Sequence, residues 1–387
     1  MKKFSFLIAL ALLGSTIAFS PANAQDDPKA VAERAWYDVC VVKKDESKCL
    51  PQSRELLDKY PDSQYAKFAK QKLDAKAIAD ATDKFQAALK AYYAGPDPIK
   101  LDQLFAAGEE YLKLQPGNQY IVGQMALAGA HGSVGQIYKN YDKVKNFGEQ
   151  ALKLFESSTA PEGWDQASWN NLRELVMAQV NQFLGYRLIE TKGDKALAAE
   201  YLTKSTQVKG KDGAGWKDPN NYWLRASLAS EEYKALRAEY DKLTDEEKIG
   251  DPGKELLKKV NEVVDNKLIP DYARVLATAT SPGAQSLKDA ARQVFDSYWK
   301  YRTDAPEKAP DYLKAFTSDP TVSAPPIPTK ADTNEPANLD APTGAANAKL
   351  SVGGAPGAAS TEKSANGKAS SKSTKAAPKG KSKRRKP

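Results

Sequence analysis

From about residue 27 to 316 the apolar side chains of this chain recur every three or four positions, and the alternation of a half-buried strand is nearly absent. Ala77, Ala81, Phe85, Ala88 and Tyr92 step this way, as do Leu172, Leu175, Val176, Gln179, Val180, Phe183, Leu184 and Leu188. Leu256, Leu257, Val260, Val263 and Val264 do the same. That period places each set on one helical face. Turn signals interrupt it at Tyr60–Ser63, Gly95–Pro98, Gln115–Asn118, Pro161–Gly163, Gly210–Asn221, Gly250–Gly253 and Ser281–Gly283. Asp97-Pro98 and Asp251-Pro252 supply an N-cap with proline in the first turn. The expected fold class is therefore all-α, built of stacked antiparallel helix hairpins.

The two ends are different materials. Lys2 and Lys3 precede an apolar run from Phe4 to Phe19, and Ala22 and Ala24 stand at the small positions before Gln25. This is the pattern of a signal peptide cleaved after Ala24. The run is shorter than the ~20 residues that span a bilayer. Nothing later approaches that length, so a periplasmic or secreted location is expected, with no transmembrane segment in the mature chain. After Phe316 no aromatic residue occurs, and Ala, Pro, Ser, Gly, Thr and Lys dominate. Such a segment cannot bury enough apolar area to offset ~1–2 kcal/mol of backbone entropy per residue, so 317–387 is expected to be disordered.

Charge matters once it is located. The chain carries 57 Lys/Arg against 49 Asp/Glu, a formal +8. The last 25 residues hold 10 of the basic side chains and no acid, which leaves 47 basic against 49 acidic elsewhere. Lys379, Lys381, Lys383, Arg384, Arg385 and Lys386 close the tail. They attract any polyanion, an anionic lipid or a cell-wall polymer among them. No aromatic residues are interleaved to stack on bases, so sequence-specific nucleic-acid recognition is not expected. The alternative is a solubilising tether without a partner.

Chemistry is sparse. A single histidine and two cysteines exclude multi-His and four-Cys metal sites, and no cofactor is expected. His131 lies in Ala130-His131-Gly132-Ser133-Val134-Gly135, which lacks the strand and glycine spacing of a hydrolase elbow. A histidine two residues from a serine on a helix also points to another face, so it reads as a packing residue. Gly210–Trp216 and Gly250–Lys254 fit neither phosphate-loop pattern and read as helix connections. Glu109-Glu110, Glu231-Glu232 and Asp245-Glu246-Glu247 would serve a glycan-active enzyme only if they converged across a cleft, and solvated helix faces are the simpler reading. No catalytic constellation is found, and a non-enzyme is expected. Cys40 and Cys49, nine apart in an exported chain, are expected to pair and pin a hairpin. The six tryptophans either fill the spaces between helices or anchor a partner.

Two segments align with each other. Ala128–Phe155 runs through Gly132, Lys139-Asn140-Tyr141-Asp142, Val144, Phe147 and Ala151-Leu152; Asn181–Thr206 runs through Gly185, Lys192-Gly193-Asp194, Ala198 and Tyr201-Leu202. This pattern resembles the tetratricopeptide repeat family. Gly132 and Gly185 match its first-helix glycine, Ala151 and Ala198 its small second-helix positions, and Pro116 the proline that closes the preceding repeat. His131 and Gly148 stand where the family usually has larger aliphatic or bulky residues. The likeness covers about 117–208, with a looser likeness over 28–70 around Leu56-Leu57-Asp58-Lys59-Tyr60-Pro61. It implies repeats over 25–218, irregular hairpins continuing the stack over 219–316, and a surface that captures a protein or peptide partner. On the family's pattern the inner-wall positions are Gln136, Gln182, Tyr186 and Glu190.

Overall fold

Of the first nine helices, all but the third begin at an Asp or Asn whose side chain accepts a backbone N–H of the first turn. In the computed structural model, which describes residues 27–210, 213–330 and Pro336, α1 (Pro28–Tyr37) starts from Asp27 and α2 (Glu46–Lys59) from Asp45. α3 (Ala66–Ala94) follows, and α4 (Pro98–Leu114) starts beside Asp97, which accepts the Lys100 N–H at 2.8 Å. Asn118 caps α5 (Gln119–Val134), Asn140 caps α6 (Tyr141–Leu154) and Asp165 caps α7 (Gln166–Glu190). Asp194 caps α8 (Lys195–Gln207) and Asp218 caps α9 (Pro219–Asp241). Each such cap satisfies a donor that the helix start leaves unpaired. Thr244 and Glu247 form a reciprocal capping box on the short α10 (Asp245–Ile249). α11 (Asp251–Val263) passes through a π-helical turn, Val264–Leu268, directly into α12 (Ile269–Thr278). α13 (Gln285–Arg302) and α14 (Ala309–Lys314) complete the series. No strand forms among the described residues; Lys209 and Gly215 make one isolated antiparallel bridge.

The chain divides into two units, residues 27–84 with 113–116, and residues 85–112 with 117 onward. The division falls inside the 29-residue α3, not near residue 218, and 219–316 share a unit with the helices before them.

In the first unit, α1 continues into a π-helical turn, Asp38–Val42, that brings Cys40 to the start of α2. Cys40 and Cys49 are disulfide-bonded, with Cα atoms 4.9 Å apart. Trp36 is buried, donates its indole N–H to Ser53 Oγ at 2.8 Å and stacks on Tyr65. The turn before α3 is held by Glu33, which accepts from Ser63 Oγ at 2.7 Å and from both Gln64 nitrogens.

The second unit repeats one packing relation. α5 touches α6 and α7, and α6 touches α7; α7 then touches α8 and α9, and α8 touches α9. Each hairpin's first helix thus packs against both helices that follow it. Close approach at these crossings depends on missing side chains. A Cβ on Gly185 would lie 2.7 Å from Leu202 Cγ and 3.1 Å from the Ala198 carbonyl oxygen on α8. In α5 the corresponding contact belongs to Gly129, whose Cβ would meet Val144 of α6 at 2.9 Å. Gly132 instead faces Leu101 of α4, Tyr92 of α3 and Tyr138. Gly148 faces Val180 of α7, where a Cβ would lie 2.9 Å from Cγ1. α9 continues onto α11 and α12, and α12 onto α13 and α14, around a core rich in rings: Tyr222, Trp223, Tyr233, Tyr272, Phe295, Tyr298, Trp299 and Tyr312.

The expected start of disorder at residue 317 needs correction. Phe316 is fully buried, and residues 317–330 lie along the helices of this unit. Arg274 donates to the carbonyls of Pro320 (2.8 Å) and Val322 (3.1 Å), Lys209 pairs with Asp319 at 2.7 Å, and Ala324 and Ile327 pack on the core. The apolar side chains of this segment are few, and the bonds from Arg274 to its backbone carbonyls and from Lys209 to Asp319 add what they lack. The remainder of the expected tail, Lys379 to Lys386 included, and the expected signal peptide lie outside the described residues.

Candidate binding surface

Gln182, Tyr186 and Glu190 are four residues apart on α7 and share one face. Gln136 reaches the same face from the turn that ends α5, where its backbone adopts φ 56°. It is exposed, and its side chain lies near the Tyr186 phenol. Burial pushes the Tyr186 phenol above its ordinary pKa, and the nearby Gln136 amide opposes that shift. Glu190 pairs with Arg187, and the Arg187 guanidinium lies 3.5 Å over the ring of Tyr141, the first residue of α6. Gln136, Tyr141, Tyr186, Arg187 and Glu190 therefore form one polar and aromatic strip that links the α5–α6 turn to the C-terminal end of α7.

Gln182 does not join the strip. It is buried and donates Nε2–H to Asp218 Oδ2 at 2.7 Å. Burial raises the Asp218 pKa, while hydrogen bonds from Gln182 and Asn220 lower it. Tyr141 and Arg187 are the members that spacing alone missed: Arg187 follows a candidate by one residue, and nothing in the sequence marks Tyr141 beyond its place after a cap.

The other candidates resolve into packing. His131 Nδ1 lies 2.9 Å from the Tyr92 hydroxyl, its ring meets Tyr92 and Tyr93 edge-on, and burial lowers its pKa, so it is neutral at pH 7. Ser133 is buried. Trp36, Trp169, Trp223 and Trp299 are buried; Trp164 leans on Trp169, and Trp216 lies under the ammonium groups of Lys209 and Lys217. Among the carboxylates noted in the sequence, Glu109 pairs with Lys143, Glu231 with Lys195 and Glu232 with Lys267, and Glu247 closes the capping box of α10. The Gly210–Asn221 connection is fastened by Asn221, which donates to Ser205 Oγ and the Gly215 carbonyl, both at 2.9 Å. Among the described residues no three His, Cys, Asp or Glu side chains are placed to hold a metal ion, and no helix is long and apolar enough to cross a membrane.

The strip can donate and accept hydrogen bonds and present a cation stacked on a ring. It holds no nucleophile beside a base. No protein-family model matches the chain, and no curated protein or solved structure matches it either.

Proposed function

We propose that this chain is an exported, non-enzymatic scaffold of tetratricopeptide type that binds a protein or peptide partner in the bacterial envelope through the strip around Tyr186. The observation that carries the reading is the repeated packing of α5 to α9, in which each first helix contacts the next two helices and glycines stand at the crossings. The Cys40–Cys49 bridge and the Lys2-Lys3-apolar start support export to an oxidising compartment. Gln136 and Glu190 are the exposed ends of the strip and are the residues a partner meets first. In the test, the full chain with a photo-reactive side chain at position 136 or 190 is irradiated in periplasmic extract. One partner should crosslink at both positions and be lost when Arg187 is changed to Ala with helicity unchanged. Crosslinking indistinguishable from a probe on the exposed face of α3 would sink the assignment.

A second reading rests on charge: 10 basic residues in the last 25 suit an envelope polyanion. Binding to anionic vesicles that falls steeply with salt and vanishes on deletion of 363–387 would favour it.

A further inference from the structure

The residues after α14 are held by their backbone carbonyls together with the Asp319 carboxylate and the side chains of Ala324 and Ile327. Arg274 is the centre of the arrangement. Its Nη1 donates to Asp271 Oδ1 at 2.9 Å, and Asp271, almost wholly buried, is also paired with Arg225 at 3.2 Å. So fixed, Arg274 directs Nε to the Pro320 carbonyl and Nη2 to the Val322 carbonyl, with its guanidinium 4.9 Å over the Phe316 ring. At the far end the Lys330 N–H donates to the Arg302 carbonyl at 3.0 Å. Arg302 is itself held by two 2.7 Å bonds to Asp265.

Backbone carbonyls are offered by any extended peptide. Prolines add no N–H that would need a partner and hold the backbone extended at little entropic cost. Side-chain discrimination is limited to Lys209, which reads an acid at position 319, and to the core surface that takes Ala324 and Ile327. In this segment only the Thr317 and Lys330 N–H groups bond helix-end carbonyls, Lys314 of α14 at 3.2 Å and Arg302 of α13 at 3.0 Å, so the rest of it can leave without unwinding any helix. Rigid donors, one charge-reading lysine and a proline-bearing occupant that turns at Asp319–Val322 and runs on to Lys330 outside any helix or strand together make a peptide site already filled.

We infer that the groove formed by Lys209, Arg274 and the end of α13 is a docking site for a proline-containing segment on another protein that turns at an acidic residue, as Asp319–Val322 does, and that residues 317–330 occupy it as an intramolecular competitor. This is independent of the strip on α7. Covalent linkage gives the resident segment a high effective concentration, so a partner binds only when that segment is weakened or outmatched.

The test uses the full chain and a labelled peptide of residues 317–330. A chain carrying D319K and I327D should bind the peptide saturably and at least about tenfold tighter than the unaltered chain. Adding R274Q to that variant should remove the binding. Equal affinity of the released and unaltered chains, or no binding to either, overturns the proposal. A second arm guards against misfolding: a protease sequence is inserted between Phe316 and Thr317 of the full chain and cut after folding, with helicity monitored. The cut segment should exchange with labelled peptide; failure to exchange means that it is a fixed part of the fold and overturns the proposal. A dimer formed only by the released variant would assign the groove to a second copy's segment and overturn its assignment to another protein.

Discussion

Gln182 and Asp218 meet across 2.7 Å, and the same carboxylate caps α9 by accepting the Asn220 N–H at 2.9 Å. One side chain thereby couples the middle of α7 to the start of α9. Gln182→Ala leaves the carboxylate partly buried with one donor fewer, and should lower stability by about 1–3 kcal/mol. Gln182→Glu should cost more, since it sets two carboxylates together. Urea unfolding followed by far-UV circular dichroism measures both, and an unchanged midpoint for Gln182→Glu would contradict the contact.

Gly185 lets α7 approach α8. Gly185→Ala gains helix propensity but drives a methyl to 2.7 Å from Leu202 Cγ. Overpacking should dominate, giving a net loss of about 1–2 kcal/mol. In a double-mutant cycle with Leu202→Ala the two losses should be less than additive, because the second change removes the clash. Full additivity would place the helices further apart than described.

Breaking Cys40–Cys49 should weaken the first unit by about 2–3 kcal/mol through the freed loop. Trp36 lies in the same buried cluster as both cysteines, so its fluorescence should report the loss. Cys40→Ala with Cys49→Ala should shift a Trp36-weighted transition to lower denaturant, with helices α5–α9 little affected.

The Asp319 carboxyl is held down to about 2, first by the bond from Lys209 and then by Thr321. A carboxyl depressed in the folded state stabilises it fully above the ordinary value of 3.8, and loses that contribution as pH falls from there through about 2. Tyr222, the other titratable group facing it, stays neutral across that window. Cleavage within 317–330 by an acid protease should therefore rise between pH 4 and 2 before helicity falls. Asp319→Asn should show that raised cleavage already at pH 4.

The all-α class was legible because an apolar period of three to four is a local signal, and the start of α4 was legible at Asp97-Pro98. At Asp251-Pro252 the aspartate is instead the first residue of α11, with Gly250 at the cap. What escaped was decided by partners far along the chain. Gly129 and Gly132 lie one turn apart on α5, and only the tilt of α6 determines that Val144 meets the first. Gln182 reads as an outward position until Asp218, 36 residues later, draws it inward. The π-helical turns at Asp38–Val42 and Val264–Leu268 contain no Gly or Pro to announce them. Residues 317–330 carry few large apolar side chains, and nothing near them in sequence shows that Lys209 meets Asp319 or that Arg274 takes the Pro320 and Val322 carbonyls.

The bond from the Lys330 amide to the Arg302 carbonyl has a mechanical meaning. Whatever load reaches the body from residues beyond 330 arrives there first, and then at the two carbonyls gripped by Arg274. A pull on the C-terminus would peel this short stretch loose bond by bond before any helix felt tension, so the chain carries a fuse in series with its own end.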